Sequence, residues 1–156
     1  MTRNEQLHSF WYLLLFSGVV TIDRITKNWA LEYCIEPYTI NDFLSFELIF
    51  NRGISWGLFN SSNDWVFILV SMFIIGIMLG LSLYTFVRWN NTHWVIGEVL
   101  VIAGAFSNMV DRIMYRGVVD FILLSARGYC WPYFNVADAC IVVGVSFMIA
   151  AVVWES

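Results

Sequence analysis

The sequence predicts a membrane protein, four transmembrane α-helices with a small extramembrane β-sheet insertion between helices 1 and 2. Three observations carry this. Mean hydropathy is +0.71, with 60% hydrophobic and 13% charged residues, outside the range of soluble globular domains. Apolar runs recur at a length that crosses a hydrocarbon core of about 30 Å at about 1.5 Å per residue, predicting spans over 10–33, 65–87, 94–112 and 138–154. Between 37 and 60 the helical period gives way to β-branched and aromatic residues interrupted by Asn41-Asp42, Asn51, Gly53 and Gly57, a strand-and-turn pattern. At 156 residues the chain suits one integral membrane domain.

The first run, Phe10 to Ile22, has the length of a signal-peptide core and follows Arg3. No small-x-small cleavage site follows. Instead Asp23, Arg24 and Lys27 come next, and the helix continues to about Tyr33. Asp23 and Lys27 stand at i, i+4 with the acid first, the favourable order for a helical ion pair, and serve either structure or function. Within the strand-like region, Asn51-Arg52-Gly53-Ile54-Ser55-Trp56-Gly57 places glycines where a backbone approaches a ligand closely, although alone it reads more readily as an ordinary turn.

Trp65 to Val87 is almost free of charge and ends at the tight connection Arg88-Trp89-Asn90-Asn91. The third span carries Gly97, Gly104 and Ala105, small residues suited to close helix packing. Glu98, early in this span, is expected to snorkel to the interface. Eight Trp suit interfacial anchoring. Eight Lys plus Arg against twelve Asp plus Glu offer no basic patch, arguing against nucleic acid as a partner. His8 and His93 stand alone and read as interfacial side chains, Cys140 as a small buried thiol, and the spacing of Cys34 and Cys130 leaves pairing open.

The stretch from Gly104 to Asp138 concentrates the chemistry. Gly104, Asn108, Asp111 and Arg112 share one helical face, and ionised residues in a span turn inward, pair and mark a working site. Asp120 lies in Val118-Val119-Asp120-Phe121. Asp138 lies in Phe134-Asn135-Val136-Ala137-Asp138, where it also reads as a helix cap. Segment 113–137 therefore carries the predicted site. Four crossings bring Asp23, Lys27, the strand-like region and all three later acids to one membrane face. A literal count puts six of the Lys and Arg on that face, the reverse of the favoured topology.

On these residues the chain closely resembles the bacterial lipoprotein signal peptidases, the type II signal peptidases, over nearly its whole length. The pieces come in the family's order: Asp23-Arg24-Ile25-Thr26-Lys27, Asn51-x-Gly53, Gly104-x-x-x-Asn108-x-x-Asp111-Arg112, Val118-Val119-Asp120-Phe121 and Phe134-Asn135-x-Ala137-Asp138. The resemblance implies an intramembrane aspartic endopeptidase that removes the signal peptide from diacylglyceryl-modified prolipoproteins just before the lipidated cysteine. It implies Asp120 and Asp138 as the catalytic dyad, supported by Asn108, Asp111, Arg112 and Asn135. Asp23, Lys27, Asn51 and Gly53 would shape the site, with Gly104 and Ala137 inside matched motifs. It further implies a site facing the periplasm and so an inner-membrane location; no metal or cofactor, a monomer among membrane lipids and, by the parity of four crossings, both termini cytoplasmic are expected alongside. Ser55 and Ser107 depart from the family pattern and bear on substrate fit.

Serine or cysteine proteolysis lacks a His near the acids, and a zinc peptidase lacks His-Glu-x-x-His. A transporter would place its acids at mid-membrane on broken helices rather than at span ends.

Overall fold

A computed structural model of the chain describes residues 3–53, 61–91 and 93–155. The elements run α1 (Arg3–Tyr33), β1 (Tyr38–Thr39), β2 (Leu44–Asn51), α2 (Asp64–Asn90), α3 (Ile96–Tyr115), β3 (Val118–Ala126), β4 (Tyr129–Cys130) and α4 (Val136–Glu155). Ser55, Trp56 and Gly57, part of the Gly-containing turn expected from the sequence, lie outside the described residues.

The helices divide into one inner helix, α3, and three outer ones packed around it. α2 is apolar all round and buries only Val70 among its residues, so its surface requires a hydrocarbon solvent. Its serine and threonine hydroxyls are satisfied within the helix, Ser71 on Phe67 O, Ser82 on Met78 O and Thr85 on Leu81 O, as a lipid-facing helix demands. The Asn63 side chain caps its start by accepting the Trp65 N–H at 2.9 Å. α2 and α4 have the length and apolarity of membrane spans. α3 is the inner helix, packed against the other three, and its buried face carries Glu98, Ser107, Asp111 and Arg112. Small residues let α4 approach it. A Cβ on Gly97 would lie 2.7 Å from the Gly144 carbonyl, and one on Gly104 would lie 2.5 Å from the Ala137 carbonyl.

Glu98 departs from expectation. Instead of snorkelling it is buried, 2.9 Å from Arg88 at the end of α2, because pairing inside costs less than leaving either charge in hydrocarbon.

The sheet also differs from the predicted insertion between the first two helices. It is four-stranded and antiparallel in the order β1-β2-β3-β4, and half its strands come from the segment between α3 and α4. Val118-Val119-Asp120-Phe121 opens the strand β3, whose residues Val118, Asp120, Ile122 and Leu124 pair with Asn51, Ile49, Phe46 and Leu44. An acid inside an apolar quartet hides the period of two that marks a strand. On one face of the sheet Phe46, Leu48 and Phe121 pack on Ala30 and Cys34 at the end of α1. Successive strand side chains alternate, so Asp120 is turned to the opposite face. The three cysteines are free.

Candidate active site

Asp120 enters the site from β3 and Asp138 from the first turn of α4, and both line a cavity of about 540 Å³. Asn135, immediately before α4, touches each acid. Its side-chain amide donates to Asp120 Oδ1 at 2.7 Å, and its backbone N–H donates to Asp138 Oδ2 at 3.3 Å. The Asp138 N–H in turn donates to Asn135 Oδ1 at 2.9 Å. This reciprocal pair is a capping box, so the cap reading of Asp138 and its place in the site are one arrangement.

The remaining amides are oriented by their other contacts. Asn51, opposite Val118 at the end of β2, donates to Asp120 Oδ2 at 3.0 Å while its Oδ1 accepts the Gly53 N–H at 2.9 Å. Asn108 donates to Asp138 Oδ1 at 2.8 Å while its Oδ1 accepts from Lys27 at 2.7 Å. Each amide group thus turns its N–H₂ end to a carboxylate, because its oxygen is occupied elsewhere. Burial first, and the charge of Asp138 next, push the Asp120 carboxyl up to about 7 against the opposing pull of Asn51, Lys27 and Asn135. A carboxyl at that value holds or releases a proton near neutrality, as general acid-base chemistry requires.

Behind the cavity lies a compensated quartet of two acids and two bases. Lys27 is 2.7 Å from Asp23 and 2.7 Å from Asp111, and Arg24 is 2.6 Å from Asp111. Each inner acid holds the backbone next to an outer one. Asp111 accepts the Val119 N–H at 3.2 Å, one residue before Asp120, and Asp23 accepts the Ala137 N–H at 2.9 Å, one residue before Asp138. Gly104 lets α4 come close enough for that second bond. Arg112 reaches the carbonyls of Arg52, at 3.3 Å, and Gly53, so its hydrogen bonds among the described residues shape the turn after β2. Its guanidinium and that of Arg52 lie over the ring of Phe67, at 5.5 and 5.1 Å.

Residues absent from the predicted site also belong to this network. Arg24 was legible as a second cation in an apolar helix. Ser107 donates to Asp23 at 2.6 Å and accepts from Arg24 at 3.2 Å, so its hydroxyl serves the quartet; it does not line the cavity. Its spacing from Gly104 and Asp111, three and four residues, was the available signal.

A buried carboxylate and a partly buried one face one cavity of a helical membrane protein, and with the family match the class is a membrane-embedded aspartic peptidase. The chain belongs to the signal peptidase (SPase) II family, which it matches over residues 15–154. It is 36% identical over 148 residues to the lipoprotein signal peptidase of Oleidesulfovibrio alaskensis, covering 92% of this chain and 94% of that one. It is 35% identical over 138 residues to that of Clostridium novyi, covering 85% and 89%. Two solved bacterial membrane enzymes share the fold. One, determined by the in meso method at 2.3 Å resolution, has a TM-score of 0.74 at 25% identity and covers 92% of this chain and 88% of its own. The other, at 1.9 Å, has a TM-score of 0.72 at 29% identity, covering 93% and 94%.

Proposed function

We propose that this chain cleaves diacylglyceryl-modified prolipoproteins just before the lipidated cysteine, with Asp120 and Asp138 as its catalytic dyad. The observation that carries the reading is Asn135, which donates to both acids at once and ties them to one cavity. Two carboxylates that face one cavity, the charge of Asp138 raising the proton affinity of Asp120, favour holding one proton between them. The ionised member takes a proton from water, the water oxygen attacks the scissile carbonyl, and the protonated member donates to that carbonyl oxygen. Collapse of the tetrahedral intermediate breaks the C–N bond and returns a proton to the leaving amine. Asn51, Asn108 and Asn135 keep each acid aimed, while Lys27, Asp23 and Asp111 fix the backbone on which the acids stand.

The cavity walls support a lipidated substrate. Ile74 and Ile77 of α2, Val101 and Ala105 of α3, and Ile141 and Val142 of α4 extend the polar end into an apolar groove. Ile77 and Val142 are more than half exposed, so acyl chains reach the groove sideways from lipid.

All four helices cross the inner membrane in this reading, with both termini cytoplasmic and the sheet and dyad on the periplasmic side. Cations on that face are largely compensated: Arg24 and Lys27 by Asp23 and Asp111, Arg52 by Asp64, and Arg112 by carbonyls. Arg88 on the other face is compensated too, by Glu98. The raw Lys and Arg count runs against this orientation; the reading discounts it because most of these cations are committed to site and turn contacts. Cys130 is exposed on the sheet side and gives a direct check. An impermeant maleimide should label it in intact spheroplasts, and labelling only after lysis would invert the topology. For the reaction, purified protein mixed with a diacylglyceryl-modified prolipoprotein should release the signal peptide; an uncut substrate would reject the reading.

A further inference from the structure

Segment 131–134 forms part of the cavity wall and is anchored independently of the acids. Its backbone is joined to β3: the Phe134 N–H donates to Ile122 O at 3.1 Å, the Ile122 N–H to Phe134 O at 2.9 Å, and the Trp131 N–H to Leu124 O at 2.7 Å. A side-chain tether reaches past β3 to β2, where the Tyr133 hydroxyl donates to Glu47 Oε2 at 2.5 Å.

Glu47 sits where β2 leaves its ladder. Phe46 pairs with Ile122 and Ile49 with Asp120, so β2 accommodates one extra residue between them, and the Leu48 N–H turns to Cys34 O at 3.0 Å. A bulge of this kind re-aims a side chain. Phe46 and Leu48, on either side of Glu47, pack toward Ala30, Cys34 and Phe121, which leaves the carboxylate on the face that Tyr133 occupies. The hydrogen bond holds the tyrosine in its protonated, donating form, its ionisation pushed up to about 12.

We propose that Glu47 and Tyr133 form a clasp that fixes the wall of the substrate cavity, making Glu47 a positioning residue for substrate binding rather than for bond cleavage. The inference rests on the cavity being the prolipoprotein site. Chemistry is separable from the clasp because Asn135, two residues beyond Tyr133, has anchors of its own on Asn108, Val119 and Asp120. Loosening the clasp lets the Tyr133 ring leave the wall while the acids keep their partners.

The test compares wild type, Tyr133→Phe, Glu47→Ala, Glu47→Gln and the Phe/Ala double variant in bilayer nanodiscs. With a lipidated prolipoprotein peptide, Tyr133→Phe and Glu47→Ala should each raise KM about five- to ten-fold, the scale of one net hydrogen bond, with kcat nearly unchanged. The double variant should be no worse than either single one. Glu47→Gln retains an acceptor for the hydroxyl and should lie close to wild type. Hydrogen exchange gives a readout without substrate: amides of 131–134 should exchange several-fold faster in Tyr133→Phe and Glu47→Ala, and those of α4 should not change. A fall in kcat at constant KM, additive losses, or wild-type exchange at 131–134 would overturn the clasp. If wild-type protein leaves the lipidated peptide uncut, the functional reading fails instead, and exchange alone decides the clasp.

Discussion

Lys27 Nζ lies 2.7 Å from Asp111 Oδ2, joining α1 to α3 across 84 residues of sequence. The same ammonium lies 2.7 Å from Asp23 and donates to Asn108, and it is fully buried. Removing it strands two carboxylates with Arg24 as their remaining cation. Lys27→Met should therefore destabilise the protein by about 3–5 kcal/mol, the usual consequence of breaking a buried pair from one side. Thermal unfolding in detergent checks this, and a loss under about 1 kcal/mol would mean that the quartet is solvated.

Asp120→Asn and Asp138→Asn should each abolish processing in a folded protein. In both, one carboxylate oxygen becomes an N–H₂ group that faces an amide donor. At position 120 those donors are Asn51 and Asn135, whose own oxygens accept the Gly53 and Asp138 N–H groups, so neither turns over without losing a bond. Turnover by either variant within about ten-fold of wild type, roughly 1.4 kcal/mol in the barrier, contradicts the dyad.

The pH dependence follows from Asp120, whose carboxyl is raised to about 7 by burial and by Asp138. The unfolded chain releases this proton near 3.9, the ordinary aspartate value, whereas the folded chain keeps it to about 7. Folded protein thus binds more protons between those limits, and the stability that this group contributes at low pH is lost as pH rises through them. Asp120→Asn lacks that slope. Its unfolding temperature relative to wild type should be several degrees more favourable at pH 8 than at pH 5, at about 2–4 °C per kcal/mol. An equal difference at both values would remove the raised pKa from the account. Wild-type processing should also decline above about pH 7, as the proton held by the pair is lost.

Gly104 and Gly144 separate packing from positioning. A Cβ at 104 would meet the Ala137 carbonyl at 2.5 Å, beside the N–H that Asp23 holds and one residue before Asp138. A Cβ at 144 would meet the Gly97 carbonyl at 2.6 Å, two helical turns further along α4. Either alanine variant should cost about 1–3 kcal/mol by overpacking. Only Gly104→Ala should lower kcat well beyond its loss of folded protein. Comparable kcat losses in the two, measured per folded molecule, would show that the start of α4 does not need this approach.

How much could be read beforehand differs between local and long-range features. Helix existence, the face shared by Gly104, Asn108 and Asp111, and the Asp23–Lys27 pair depend on spacing within a few turns, and spacing is printed in the chain. Ser107 serves the quartet yet was less visible, because a serine does not signal burial and its partners Arg24 and Asp23 lie 83 and 84 residues away. The strand character of Val118–Ala126 was missed because pairing with β2, rather than intrinsic pattern, defines it. Glu98 was misplaced because its partner stands on another helix.

By itself the sequence determined that the protein must live in lipid, which segments are apolar enough to remain there, and which few ionised residues need an explanation. Hydrophobicity and helical period are local properties and require no fold to be counted. Only the tertiary structure decided that β2 and β3 are neighbours, that Asp23 holds the backbone before Asp138 while Asp111 holds that before Asp120, and that one asparagine touches both cavity acids. Those are contacts between distant segments, selected by the need to satisfy every buried polar group at once, and no single stretch of chain contains that condition.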